Sequence, residues 1–108
     1  DGTVDTPFLG VLGQTVTSDL AEQEGLPVDE GAYVVEITPG TEAEKAGLQP
    51  GDVIVAVDDD KVRSMDDLIL EVRQRSVGDR VTITLWRDGE KTTLDMKIGI
   101  KPTGDAND

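Results

Sequence analysis

The chain has 108 residues, enough for one domain, and 36% of them are apolar although Phe8, Tyr33 and Trp86 are its only aromatic residues. Acidic residues number 23 against 10 basic ones, a formal charge of -13 that disfavours nucleic-acid backbones and anionic lipid surfaces as partners. Cysteine and histidine are both absent, which excludes disulfides and thiolate metal sites and removes the usual general base.

In chain order, residues 1–6 read as a polar linker from an upstream domain, and Phe8 to Thr17 as a first strand interrupted by Gly10 and Gly13. Glycine inside a strand marks a bulge or a close backbone approach. Ser18 to Glu30, with Gly25 and Pro27, begins helix-like and passes into a loop. Ala32 to Ile37 is a second strand, ended by Pro39-Gly40. Thr41-Glu42-Ala43-Glu44 fits a capping box that opens a short helix, and Gly47 suits a left-handed helix stop. Asp52 to Val57 reads as a buried strand. Asp58-Asp59-Asp60 then turns the chain into a brief strand around Lys61 and Val62.

A second capping box at Ser64-Met65-Asp66-Asp67 opens the main helix, Met65 to about Arg75, with Leu68, Ile69 and Val72 at helical spacing. Val81 to Arg87 alternates apolar and polar residues, Asp88-Gly89 is a hairpin turn, and Lys91 to Ile98 returns as the partner strand. A polar tail is expected over residues 99–108. Five or six strands and two helices, joined mostly by hairpins and short turns, define an α+β class. Its sheet is expected to be a mainly antiparallel, partly open barrel capped by the two helices.

Chemistry of the chain's own is not expected. Ser18, Ser64 and Ser76 have no histidine to activate them, and neither a G-x-S-x-G elbow nor a glycine-rich phosphate loop is present. Asp58-Asp59-Asp60 lacks the alternating ligands and distant glutamate of a calcium loop. No metal and no cofactor is therefore expected. No apolar run approaches the roughly 20 residues that span a bilayer, so direct membrane insertion is not expected either.

One stretch is more specific. Gly31-Ala32-Tyr33-Val34-Val35, Thr38-Pro39-Gly40 and Glu44-Lys45-Ala46-Gly47-Leu48-Gln49-Pro50-Gly51-Asp52-Val53-Ile54 together resemble the central signature of PDZ domains. The resemblance runs over residues 7–98. The element order is similar to that of the circularly permuted bacterial form found in HtrA-like (DegP-like) serine proteases.

This resemblance implies a peptide-binding module. Phe8, Leu9, Gly10 and Val11 take the place of the family's carboxylate-binding loop. Glycine in such a loop lets consecutive amides converge as an anion-binding nest. Leu12, Gly13, Gln14, Thr15 and Val16 would form the strand that an incoming peptide extends. Met65, Ile69 and Val72 would form the opposing helical wall, with Leu68 turned to the core.

Met65 stands where many relatives carry histidine, which implies an apolar preference two residues before the ligand terminus. Gly13 implies room for a terminal Leu, Ile, Val or Phe. Arg73 is the nearest basic residue able to support the carboxylate; a solvated surface arginine is the other reading. Asp59 stands where relatives commonly place glycine, so the turn there is expected to differ.

Expected partners are hydrophobic C-terminal or extended peptides and an N-terminal protease domain of the same polypeptide. The implied setting is the bacterial cell envelope, outside the cytoplasm. The alternative is a scaffold or assembly domain of another envelope protein, or of an intramembrane or tail-processing protease.

Overall fold

The computed structural model describes residues 7–8 and 10–100. In chain order these residues form β1 (Pro7–Phe8), β2 (Val11–Thr15), α1 (Ser18–Glu24), β3 (Ala32–Ile37), α2 (Glu42–Ala46) and β4 (Val53–Val57). There follow β5 (Asp60–Lys61), α3 (Met65–Arg73), β6 (Arg80–Arg87), β7 (Glu90–Lys97) and β8 (Gly99–Ile100). A six-stranded antiparallel sheet runs in the order β2-β3-β4-β6-β7, with β5 attached to β4, and β1 pairs separately with β8. The sheet does not close: β2 ends the path at one side and β7 at the other.

Differences from the sequence reading have local causes. The first strand divides into β1 and β2 on either side of Gly10, whose φ of 93° turns the chain. Ser18–Glu24 forms a complete helix, a third one, because the Thr17 hydroxyl accepts from Leu20 N at 3.1 Å and Gly25 closes it with φ 66°. Gly99 and Ile100, placed in the tail by sequence, instead pair with Phe8 and Pro7.

The capping box at α2 is only half formed. Glu44 accepts from Gly40 N at 2.8 Å, but the Thr41 hydroxyl donates to Thr38 O at 2.7 Å instead of receiving a helix amide. At α3 the cap is complete, with Ser64 Oγ accepting from Asp67 N at 3.0 Å and Asp67 accepting from Arg63 N. The left-handed residue of the acidic turn is Asp58 and not Asp59.

The core is aliphatic, as the scarcity of aromatic residues requires. Val34, Ile54, Val57, Val62, Leu68, Ile83, Leu85 and Ile98 are its most deeply buried large members. Alternation along β6 sends Val81, Ile83 and Leu85 inward together. An ion pair binds the frame outside this core. Asp52, itself buried, accepts two bonds from Arg87 at 2.9 and 2.7 Å and one from Gln49 N, while Arg87 also reaches Gly47 O. Hydrogen bonding to Asp52 holds the Arg87 guanidinium above its ordinary pKa. This clamp joins the end of α2 to the end of β6.

Candidate functional site: an open strand edge facing a helix

The site begins with β2, which hydrogen-bonds to β3 on one side and, among the described residues, ends the sheet on the other. An unpaired edge offers a row of amides and carbonyls to any extended chain. Two glycines shape it. A Cβ on Gly10 would meet Thr41 Oγ1 at 2.4 Å, and one on Gly13 would meet Tyr33 O at 2.2 Å. At Gly13 the register with β3 shifts, so a bulge re-aims the strand. Thr38 N donates to Gly10 O at 2.9 Å, fixing the start of β2 against the end of β3.

The facing wall is α3. Its residues fall into two stripes at i, i+4 spacing. Leu68 and Val72 are buried among the core residues. Met65, Ile69 and Arg73 form the other stripe, with Met65 half-buried, Ile69 41% exposed and Arg73 exposed. This second stripe borders β2, since the Met65 sulfur lies 3.2 Å from the point a Gly13 Cβ would occupy.

Both ends of α3 are fixed. At its start Met65 N donates to the Thr15 hydroxyl at 3.0 Å, a bond between the two walls. Beyond its end Arg75 donates to Glu71 Oε1 at 2.9 Å and to Asp58 Oδ2 at 3.1 Å. Asp58, expected to be a solvated turn residue, is therefore an anchor, and its other oxygen accepts from Thr82 N at 2.9 Å. That amide bond, with Arg75 adding to it, holds the Asp58 carboxyl below its ordinary pKa although partial burial opposes the shift. Helix α3 is thus tied to the sheet at its start and to the β4–β5 turn beyond its end.

The remaining candidate residues differ in exposure. Leu12 is 56% exposed, Val11 and Gly13 are half-buried, and Gln14 and Thr15 are exposed. Val16 is buried and its amide donates to Gly31 O at 2.9 Å, so it closes the strand. Gly10 is buried. Val72, at 5% exposure, lies on the core stripe and not on the open one. Phe8 is described only as a strand residue of β1, and Leu9 lies outside the described residues, as do 1–6 and 101–108. No group of acidic side chains able to hold a metal occurs among the described residues.

The sequence reading missed three residues that act on this site indirectly. Thr41 packs against Gly10, while Asp58 and Arg75 hold α3. The contacts of Thr41 with Gly10 and of Arg75 with Asp58 join residues distant in sequence, and the local motifs that single out Thr41 and the acidic turn do not reveal them.

An antiparallel sheet whose edge strand β2 is faced by a capped helix has the form of a module that takes up an extended chain as an added strand. The chain matches the family model for the PDZ domain over residues 7–98, and it belongs to that family. It is 42% identical over 103 residues to a probable periplasmic serine endoprotease, DegP-like, of Rhizobium meliloti, with 95% of this chain and 20% of that protein covered. A DegP-like protein of Hahella chejuensis is 38% identical over 104 residues, covering 96% and 22%. The chain thus spans about a fifth of the length of these relatives.

Among solved structures, the HtrA-type protease AlgW with decapeptide superposes with a TM-score of 0.85 at 31% identity, covering 94% of this chain and 31% of that one. The PDZ domain of HtrA3 superposes with a TM-score of 0.77 at 24% identity, covering 89% and 88%, a likeness of fold. Within the main sheet the groove strand β2 comes first and the β6–β7 hairpin last, the order that the resemblance implies.

Proposed function

We propose that the domain binds a hydrophobic C-terminal or extended peptide as an added antiparallel strand between β2 and α3. It would thereby recruit substrate to, or regulate, a linked HtrA-like serine endopeptidase. The single observation that carries this reading is the open edge of β2, bordered across the groove by the exposed face of Met65 and Ile69. Backbone pairing along Val11–Thr15 would supply affinity for any extended chain, and the apolar stripe would select side chains.

The turn at Gly10 would bring the amides of Gly10 and Val11 towards the ligand carboxylate. Met65 would favour an apolar residue two places before the terminus. Above Gly13, which has no side chain, a terminal Leu, Ile, Val or Phe would lodge. Arg73, exposed on the same stripe as Met65 and Ile69, would lend positive charge near the carboxylate.

The relatives support the wider assignment. They are named as periplasmic serine endoproteases, and the AlgW structure was solved with a decapeptide. These names support a reading in which the parent acts in the bacterial periplasm and carries its protease domain N-terminal to this one.

A short peptide that must be ordered on binding is expected to reach about micromolar affinity, roughly -8 kcal/mol. Fluorescence polarisation with labelled peptides ending in Val, Leu or Phe tests the reading. Ile69→Glu, an exposed position that leaves the core intact, should weaken binding at least about tenfold. Unchanged affinity in that variant would remove α3 from the site.

A further inference from the structure

Outside the groove the sheet carries a second concavity. Tyr33 lies directly opposite Val53, and Val53 directly opposite Trp86, so the three form one row across β3, β4 and β6. Residues paired in this way share a face of the sheet. Val53 is buried between the two half-exposed aromatic residues. Around this row lies an open cleft of about 400 Å³, also lined by Glu24, Leu26, Pro27 and Asp88. Small-ligand sites begin at roughly 300 Å³.

We propose that this cleft receives an arginine side chain carried by another polypeptide segment. Aromatic rings attract a cation, and a planar guanidinium stacks on them while its donors reach carboxylates. Both kinds of partner are present. Tyr33 and Trp86 supply the rings, and Glu24 and Asp88 supply the carboxylates.

An anionic ligand meets these carboxylates and a chain of net charge -13, and a purely apolar one would strip water from them without return. The Tyr33 hydroxyl donates to Glu24 Oε1 at 3.2 Å. Burial and the Glu24 charge together make that phenol harder to ionise, in keeping with a negative potential at the cleft.

Of the chain's own nearby cations one is engaged, and the other, on the same sheet face as Trp86, does not line the cleft. Arg87 is held by Asp52 and Gly47 O. Lys91, opposite Trp86 in the hairpin, is exposed and absent from the cleft lining.

Trp86 is the only tryptophan, so its fluorescence reports on this cleft. The probe is N-acetyl-arginine amide, which has no carboxylate to occupy the loop at Gly10. A saturable change is expected, weaker in high salt and absent with the neutral isostere N-acetyl-citrulline amide. Glu24→Gln with Asp88→Asn should weaken it about fivefold or more, and Asn tolerates the left-handed backbone at Asp88.

Circular dichroism and undiminished groove-peptide binding in the double variant establish that it is folded. The absence of a saturable change with the arginine probe, equal binding of citrulline, or equal binding by the double variant would each overturn the proposal. Equal binding of N-acetyl-lysine amide would overturn its guanidinium specificity.

Discussion

The amide of Met65, first residue of α3, donates a 3.0 Å hydrogen bond to the hydroxyl of Thr15, last residue of β2. The first amides of a helix have no partner within it, and here one is used to join the two walls of the groove. The groove's width at that end is thus set by a side chain of the strand and not by packing alone.

Thr15→Val keeps the β-branched shape and removes the acceptor. It should cost about 1 kcal/mol of stability, seen as a lower urea midpoint. Peptide affinity should fall by a few-fold in the same variant. Unchanged values of both would mean the bond has no bearing on groove geometry.

Glycines on the two sides of the domain should respond differently to alanine. At Gly13 the added Cβ would sit 2.2 Å from Tyr33 O, so the bulge must rearrange. At Gly40, φ is 80° and nothing lies within 4 Å. We expect about 2 kcal/mol or more at Gly13 against about 1 kcal/mol at Gly40. Denaturant unfolding of the two variants measures the difference.

Asp52→Ala strands the Arg87 guanidinium and the Gln49 amide at once. Arg87 is partly open to water and keeps its bond to Gly47 O, so the loss should be about 2 kcal/mol, that of hydrogen bonds to a charged group. Thermal unfolding should show this loss, whereas Asp60→Ala, whose longer 3.5 Å pairing with Arg75 is exposed, should change stability by about 0.5 kcal/mol or less.

Asp58 gives the domain an acid limb. Its folded pKa lies below the ordinary carboxylate value, first because the Thr82 amide bonds to it and then because Arg75 does. A depressed carboxylate stabilises the fold fully above its unfolded value, and that contribution is lost as pH falls through the folded value. Asp58→Asn should therefore be less stable than the parent by about 1 kcal/mol near neutrality, the exposed pair being screened. The gap should close progressively below the unfolded value. A gap that widens on acidification would reverse the sign assigned to Asp58.

Much of this architecture is legible in the sequence because its determinants are local. The Ser64 cap, the Asp88-Gly89 turn and the left-handed stop at Gly47 each depend on residues within a few positions. What was not legible depends on partners far apart. Asp52 and Arg87 are separated by 35 residues, Thr15 and Met65 by 50, and no spacing rule connects them.

Helical spacing also cannot distinguish two apolar stripes on one helix. Ile69 and Val72 both fit the period, but only contact with the sheet assigns Val72 to the core and leaves Ile69 open. At Thr41 the motif was complete, yet a nearer carbonyl, that of Thr38, took the hydroxyl.

The most direct test of the account is an NMR titration of amide shifts with a short peptide ending in a hydrophobic residue, run as the free acid and as the C-terminal amide. Docking of a strand against β2, with the carboxylate held at the turn around Gly10, predicts saturable shifts in residues 10–16 and along Met65, Ile69 and Arg73, and clearly weaker binding of the amidated peptide. Shifts confined to other faces, or equal affinity for the two peptides, would contradict it.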